Sequence, residues 1–241
     1  MIQPAKIGVP QPLSARAREF VSSVLALNLR LACFDCDGTL WSGDAGADFF
    51  YWEIEQELLP ADVVRWVRPR YNDYKAGKVD EDAMCGEMVT IHKGLREAEL
   101  RAAAAQFFAE VVQPRIFPEM LELTRRLNEA GCELWAVSST NDWVVAEGCR
   151  QFGIPVERVL AACVHYENSC ATDRLIRVPT DEGKAIAIRE IVGRPIDAAF
   201  GNSVHDAAML DLGRYAFAVN PNPDLEELAR AKGWTVYHPE R

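Results

Sequence analysis

The chain has 241 residues, 49% hydrophobic and 26% charged, and its 26 basic against 36 acidic side chains leave a formal net charge of −10. That length suits one sizeable core, or a core domain carrying a smaller insert. The mean field repels polyanions, so neither a nucleic acid nor a membrane surface is the expected partner, whereas a small anion meeting a local cation remains compatible.

Residues 1–13, with three prolines, read as a loose arm, and Met1-Ile2-Gln3-Pro4-Ala5-Lys6 leads to prolines where a secretory signal would turn apolar. Ser14 caps an expected helix over Ala15–Leu27, and Leu29–Phe34 reads as a short buried strand ending in Asp35-Cys36-Asp37-Gly38-Thr39. From about residue 45 to 114 every periodic stretch is helical, which marks a separate helical bundle. Alternation resumes with a helix at Glu119–Ala130, a strand at Glu133–Ser138 and a helix at Asp142–Phe152. Strands follow at Val159–Val164 and Arg174–Pro179, then a helix at Glu182–Val192 and a strand at Ala198–Gly201. Asp206–Leu212 is a helix, Ala216–Val219 a strand, Asp224–Lys232 a helix and Thr235–Tyr237 a last strand. Repeated β-α alternation predicts a Rossmann-like α/β core, a parallel sheet covered on both faces, with the helical bundle inserted. The expected division is a core of residues 1–44 and 115–241 and an insert of 45–114. Seven scattered cysteines, odd in number, fit reduced thiols in a cytoplasm. Cys33 and Cys36 have redox-pair spacing but run along a strand, not into a helix.

Ligands of open parallel sheets gather at the carboxyl ends of the strands. The first strand brings Asp35, Asp37 and Thr39 there, the next Ser138, Ser139, Thr140 and Asn141, and the one ending at Gly201 brings Asn202, Ser203 and Asp206. Lys184 opens an intervening helix. Two carboxylates two residues apart can divide labour: one attacks phosphorus, and the other protonates a leaving oxygen and later deprotonates water. Their joint charge repels a phosphate dianion, so the site calls for a hard, oxygen-preferring cation such as Mg2+. Ser138 can hydrogen-bond a phosphate oxygen and Lys184 can neutralise charge on the transferring group.

The run Leu31-Ala32-Cys33-Phe34-Asp35-Cys36-Asp37-Gly38-Thr39-Leu40 resembles the first motif of the haloacid dehalogenase-like superfamily. Val137-Ser138-Ser139-Thr140 resembles its second, Lys184 its third, and Gly201-Asn202-Ser203-Val204-His205-Asp206 its fourth. The helical block resembles the cap of the phosphoserine phosphatase-like branch. The resemblance implies hydrolysis of a small phosphorylated metabolite through an aspartyl-phosphate on Asp35, assisted by Asp37, Ser138 and Lys184. It implies Mg2+ held by Asp35, the Asp37 carbonyl, Asn202 and Asp206, and a cap that closes with the core over the substrate. The second acid, Asp37, favours phosphoester hydrolysis over dehalogenation.

Two departures matter. The fourth motif ordinarily opens on aspartate, and here Asn202 offers an amide oxygen without full charge, which predicts weaker metal binding and leaves a low-turnover phosphate-binding or regulatory protein as the alternative. Asp44 falls where phosphoserine phosphatases carry a substrate-facing glutamate, while Met88 falls near their carboxylate-gripping arginine. Thr39, Asp44, Ser139, His92, Lys93 and His205 are the candidate substrate contacts. Asp206 reads equally as a helix cap, and His205 equally as a residue that orients its neighbours.

Overall fold

The computed structural model describes residues 12–240, so most of the expected proline-rich arm lies outside the described residues. Ser14 Oγ accepts the Ala17 N–H at 3.0 Å and starts α1 (Ala15–Leu25). β1 (Leu31–Phe34) follows, buried at every position, as a central strand flanked by two layers must be. After the helical insert come α6 (Pro118–Glu129), β2 (Glu133–Asn141), α7 (Asp142–Gln151), β3 (Val159–Glu167), β4 (Cys170–Arg177) and α8 (Asp181–Ala187). The chain ends with β5 (Ile196–Gly201), α9 (Ala207–Leu210), β6 (Gly213–Val219), α10 (Pro223–Lys232) and β7 (Thr235–Tyr237).

The seven strands form one sheet in the order β4-β3-β2-β1-β5-β6-β7. Every neighbouring pair is parallel except β3 and β4. The last strand before α8, expected at Arg174–Pro179, begins four residues earlier and returns antiparallel, because Asn168 and Ser169 take φ of 51° and 63° and close a tight hairpin. Alternate β1 side chains feed two cores. Ala32 and Phe34 pack with α1, α6 and α7, while Leu31 and Cys33 pack with α8, α9 and α10. Phe34, Phe200 and Phe217 stack across β1, β5 and β6 at centroid distances of 4.3 and 4.6 Å. Each stacked pair contributes roughly 0.5–1.5 kcal/mol beyond its buried area, and together they fix the strand ends from which the acidic loops depart.

The insert holds α2 (Ala45–Glu55), α3 (Ala61–Lys75), α4 (Glu81–Thr90) and α5 (Glu97–Phe107). The first three enclose a small core of their own around Phe50, Val67, Tyr71 and Met84. α5 instead buries Leu100, Ala104 and Phe107 in the main core. Trp66 is 52% exposed on α3. The insert also meets the tip of the β3–β4 hairpin by backbone: Gly94 N–H donates to Ala171 O (2.8 Å), Ala171 N–H to Leu95 O (2.9 Å) and Glu97 N–H to Ser169 O (2.9 Å).

Candidate active site

Asp35 is the first residue beyond β1, and its N–H donates to Phe200 O at 2.8 Å, which ties the turn to β5. Its side chain is nearly enclosed (5% exposed). Lys184 Nζ donates to Asp35 Oδ1 at 2.7 Å, and Thr39 Oγ1 donates to Oδ2 at 2.9 Å. The same ammonium, on the buried face of α8, donates to Asp206 Oδ1 at 2.6 Å. Asp206 Oδ2 accepts the N–H groups of Asn202 (2.8 Å) and Ser203 (3.0 Å). Ser203 Oγ in turn accepts from the His205 N–H at 3.2 Å, so the fourth motif is a closed cap structure around Asp206.

Two carboxylates, those of Asp35 and Asp206, therefore share one ammonium. Burial, and then the Asp206 charge, push Asp35 up to about 7 against the opposing pull of Lys184. Burial works against the Lys184 ammonium, yet Asp206 and Asp35 hold it well above its ordinary value. Asp37 turns the other way. Its Oδ1 accepts Trp41 Nε1–H (2.6 Å) and the Ala45 N–H (2.8 Å), and its Oδ2 accepts the Thr140 hydroxyl (2.7 Å). Burial still raises its pKa despite those bonds. A carboxyl that leans toward its protonated form, beside a neighbour with a different set of partners, is suited to general acid work.

Ser138 is buried at the end of β2, where its Oγ accepts the Thr140 N–H at 3.2 Å. Asn141 caps α7 through the Val144 N–H at 3.0 Å. The first and fourth motifs touch at Gly38, whose φ is +76°. A Cβ there would stand 1.9 Å from Asn202 Nδ2, so both the turn and the close approach require glycine. The site fits a hard divalent cation by its donor chemistry: Asp35 keeps a lone pair on each oxygen, the Asn202 amide and the Asp37 carbonyl are neutral oxygen donors, and the local charge is negative. Asp206, expected among the direct ligands, is fully buried and already accepts three hydrogen bonds.

Beside Asp37 lies a small cleft, about 70 Å³, between insert and core. Ser139, Thr140 and Asn141 form its core wall; Asp44, Tyr71, Tyr74, Glu81, Cys85 and Met88 come from the insert side. Asp44 caps α2 through the Ala47 N–H at 2.8 Å, and burial together with the Asp37 charge raises it to about 6. Thr39 lies on Asp35 and does not line the cleft. His205 bonds Glu81 (3.0 Å) and Asp181 (2.8 Å), and these partners, Glu81 first, raise it to about 9.

His92 and Lys93 are not cleft residues. His92 is buried inside the insert with Nε2 on Glu53 Oε2 at 2.6 Å and its ring against Trp143. Lys93 points to solvent and pairs with Asp173 on β4 at 2.6 Å. Sequence reasoning missed Tyr71, Tyr74, Glu81 and Cys85, which reach the cleft only through the packing of α3 and α4 over the end of β2. Glu81 gives the one local hint, an acid directly after the Asp80 cap of α4.

The family model of haloacid dehalogenase-like hydrolases matches residues 32–211. A protein named histidinol-phosphatase, from Neisseria meningitidis, is 28% identical over 217 residues, which cover 86% of this chain and 97% of that protein. Phosphoserine phosphatase SerB1 of Mycobacterium tuberculosis is 27% identical over 215 residues, 85% of this chain and 69% of its own length. A crystal structure of a protein of unknown function from Bordetella pertussis superposes with a TM-score of 0.75 at 25% identity, covering 87% of this chain and 98% of the other. With four motifs assembled around Asp35 and a family match across three quarters of its length, the chain belongs to the haloacid dehalogenase-like hydrolase family.

Proposed function

We propose that this protein is a magnesium-dependent phosphatase that hydrolyses a small phosphomonoester through a covalent phosphate on Asp35. The observation that carries this is the buried arrangement of Asp35 and Asp206 on the Lys184 ammonium, with Asp37 alongside but differently bonded. Relatives named for histidinol phosphate and phosphoserine hydrolysis support a small phosphomonoester as substrate.

An Asp35 carboxylate oxygen attacks phosphorus, the ester P–O bond breaks, and the departing oxygen takes the Asp37 proton. Asp37 then accepts a proton from water, whose oxygen attacks the phosphorus and returns Asp35 as a free carboxylate with inorganic phosphate. Lys184 balances charge on Asp35 and the transferring group, and Ser138 offers a hydroxyl to a phosphate oxygen. Asp35, the Asp37 carbonyl and Asn202 would hold Mg2+, which supplies Lewis-acid charge neutralisation. Asp206 acts by positioning Lys184 and the Asn202 backbone. Residues 45–114 serve as the cap that carries specificity, on a core of 1–44 and 115–241. All seven cysteines are free, which supports a reducing, cytoplasmic setting, and no described helix is long and apolar enough to cross a membrane.

The test is Mg2+-dependent hydrolysis of p-nitrophenyl phosphate, its loss in Asp35→Asn, and trapping of hydroxylamine-labile phosphate on the protein. Asn202, which lacks the charge of an aspartate, favours one second reading, a phosphate-binding protein of low turnover. Phosphate binding without chelator-sensitive hydrolysis of any ester in a broad panel would select it.

A further inference from the structure

The leaving group must lie in the cleft beside Asp37, because Thr140 both donates to Asp37 Oδ2 and lines that cleft. Two carboxylates line it, Asp44 and Glu81, with the hydroxyls of Tyr71, Tyr74 and Ser139. No lysine, arginine or histidine is among the described residues that line it. Cations around these groups are already engaged: Arg115, which approaches Gly43 beside Asp44, pairs with Asp48. Lys184 sits on Asp35 and Asp206; Lys75 donates to the Tyr51 hydroxyl and lies over the Tyr71 ring at 5.3 Å. His205 is shared between Glu81 and Asp181, one positive charge for two acids, and Glu81 meets it through Oε2, leaving Oε1 without that bond. The cleft therefore carries net negative charge with walls of protein around it, which strengthens attraction to a cation and repulsion of an anion. A substrate carboxylate would find hydroxyls there but no cation, and two like charges.

We infer that the substrates are phosphate esters of amino alcohols, carrying an ammonium that Asp44 and Glu81 receive and no carboxylate. This rests on the phosphatase reading above and narrows it. A charge-assisted hydrogen bond to an ammonium is worth at least about tenfold in affinity, so the preference is measurable.

The experiment compares kcat/KM at pH 7.5 and fixed Mg2+ for three esters of similar size: 2-aminoethyl phosphate, ethyl phosphate and O-phosphoserine. The wild type should favour 2-aminoethyl phosphate at least about tenfold over each of the others. In Asp44→Asn and in Glu81→Gln the ratio of 2-aminoethyl to ethyl phosphate should fall at least about fivefold, mostly through KM. That ratio is taken within each variant, so a general loss of folding or catalysis does not move it. Equal rates on the amine and ethyl esters, faster turnover of O-phosphoserine, or a ratio unchanged in both variants would overturn the inference and leave the phosphatase reading standing. So would hydrolysis of p-nitrophenyl phosphate with none of the three esters turned over. A protein that hydrolyses none of the four compounds overturns the phosphatase reading and this inference with it.

Discussion

Lys184→Met removes the one ammonium shared by Asp35 and Asp206 while nearly preserving side-chain length and volume. Two contacts of 2.7 and 2.6 Å disappear, and two buried carboxylates are left facing each other without a counter-charge. Removing one partner of a buried ion pair costs about 3–5 kcal/mol. At roughly 2–4 °C per kcal/mol for a chain of this size, Tm should fall by roughly 6–20 °C. The loss has a definite pH sign. Asp35 already titrates at about 7 with Lys184 present, above its ordinary 3.8, so its folded form binds a proton more tightly than the unfolded chain. Without Lys184 that difference grows, and the variant gains stability as pH falls. Thermal unfolding in chelator should therefore show a wide gap between wild type and variant at pH 8 and a narrower one at pH 5. Adding Asp206→Asn should recover part of the loss, since an amide can still accept from the Asn202 and Ser203 N–H groups and brings no charge. A gap under about 1 kcal/mol at pH 8, or one that widens at pH 5, would refute the charge argument.

Gly38→Ala puts a Cβ against Asn202 at a φ of +76°, so it should cost about 1–2 kcal/mol and lower kcat/KM on p-nitrophenyl phosphate at least about tenfold; wild-type values for both would remove that contact from the account. Asn202→Asp supplies the missing charge and should tighten Mg2+ binding by about tenfold in calorimetry, whereas unchanged affinity would place residue 202 away from the metal. Glu53→Leu strands the buried His92 Nε2 and should cost about 1–3 kcal/mol in thermal unfolding, an expectation that a change within about 0.5 kcal/mol would sink. His205, raised from 6.5 to about 9, should stabilise wild type relative to His205→Gln fully below pH 6.5, with the advantage lost as pH rises through about 9. With its side chain 42% exposed, that advantage should be only about 1 kcal/mol, and a flat difference from pH 6 to 10 would count against the pairing.

The motif loops were legible because each follows a strand whose apolar run is short, bounded and buried. Asp35, Ser138 and the Asn202–Asp206 turn are placed at the sheet edge by chain order alone, and Lys184 by the helix after β4. β4 was half legible: on this edge strand Ala171 is the one buried side chain among Cys170 to Arg174, and a serine at positive φ gives no turn signal. α5 is alanine-rich, so its pattern showed a helix but not which core would receive Leu100 and Phe107. His92 and Lys93 were misjudged because their partners, Glu53 and Asp173, lie 39 and 80 residues away. Glu81, unlike Asp44, reaches the cleft only through how helices of the insert cross the core, which no local spacing encodes.

The backbone bonds between the β3–β4 hairpin tip and the α4–α5 connection bear on how the site is entered. A body joined to its base only where the chain crosses twice can swing like a door. This insert has a third mount, three peptide hydrogen bonds at Gly94, Ala171 and Glu97, and α5 is bedded in the main core besides. Rigid rotation would have to break all of these at once and would also pull Phe49 of α2 and Val89 of α4 out of the main core. Among the four helices α3 alone packs its buried side chains only into the insert's own small core, so the stretch freest of the base is the one that brings Tyr71 and Tyr74 to the cleft.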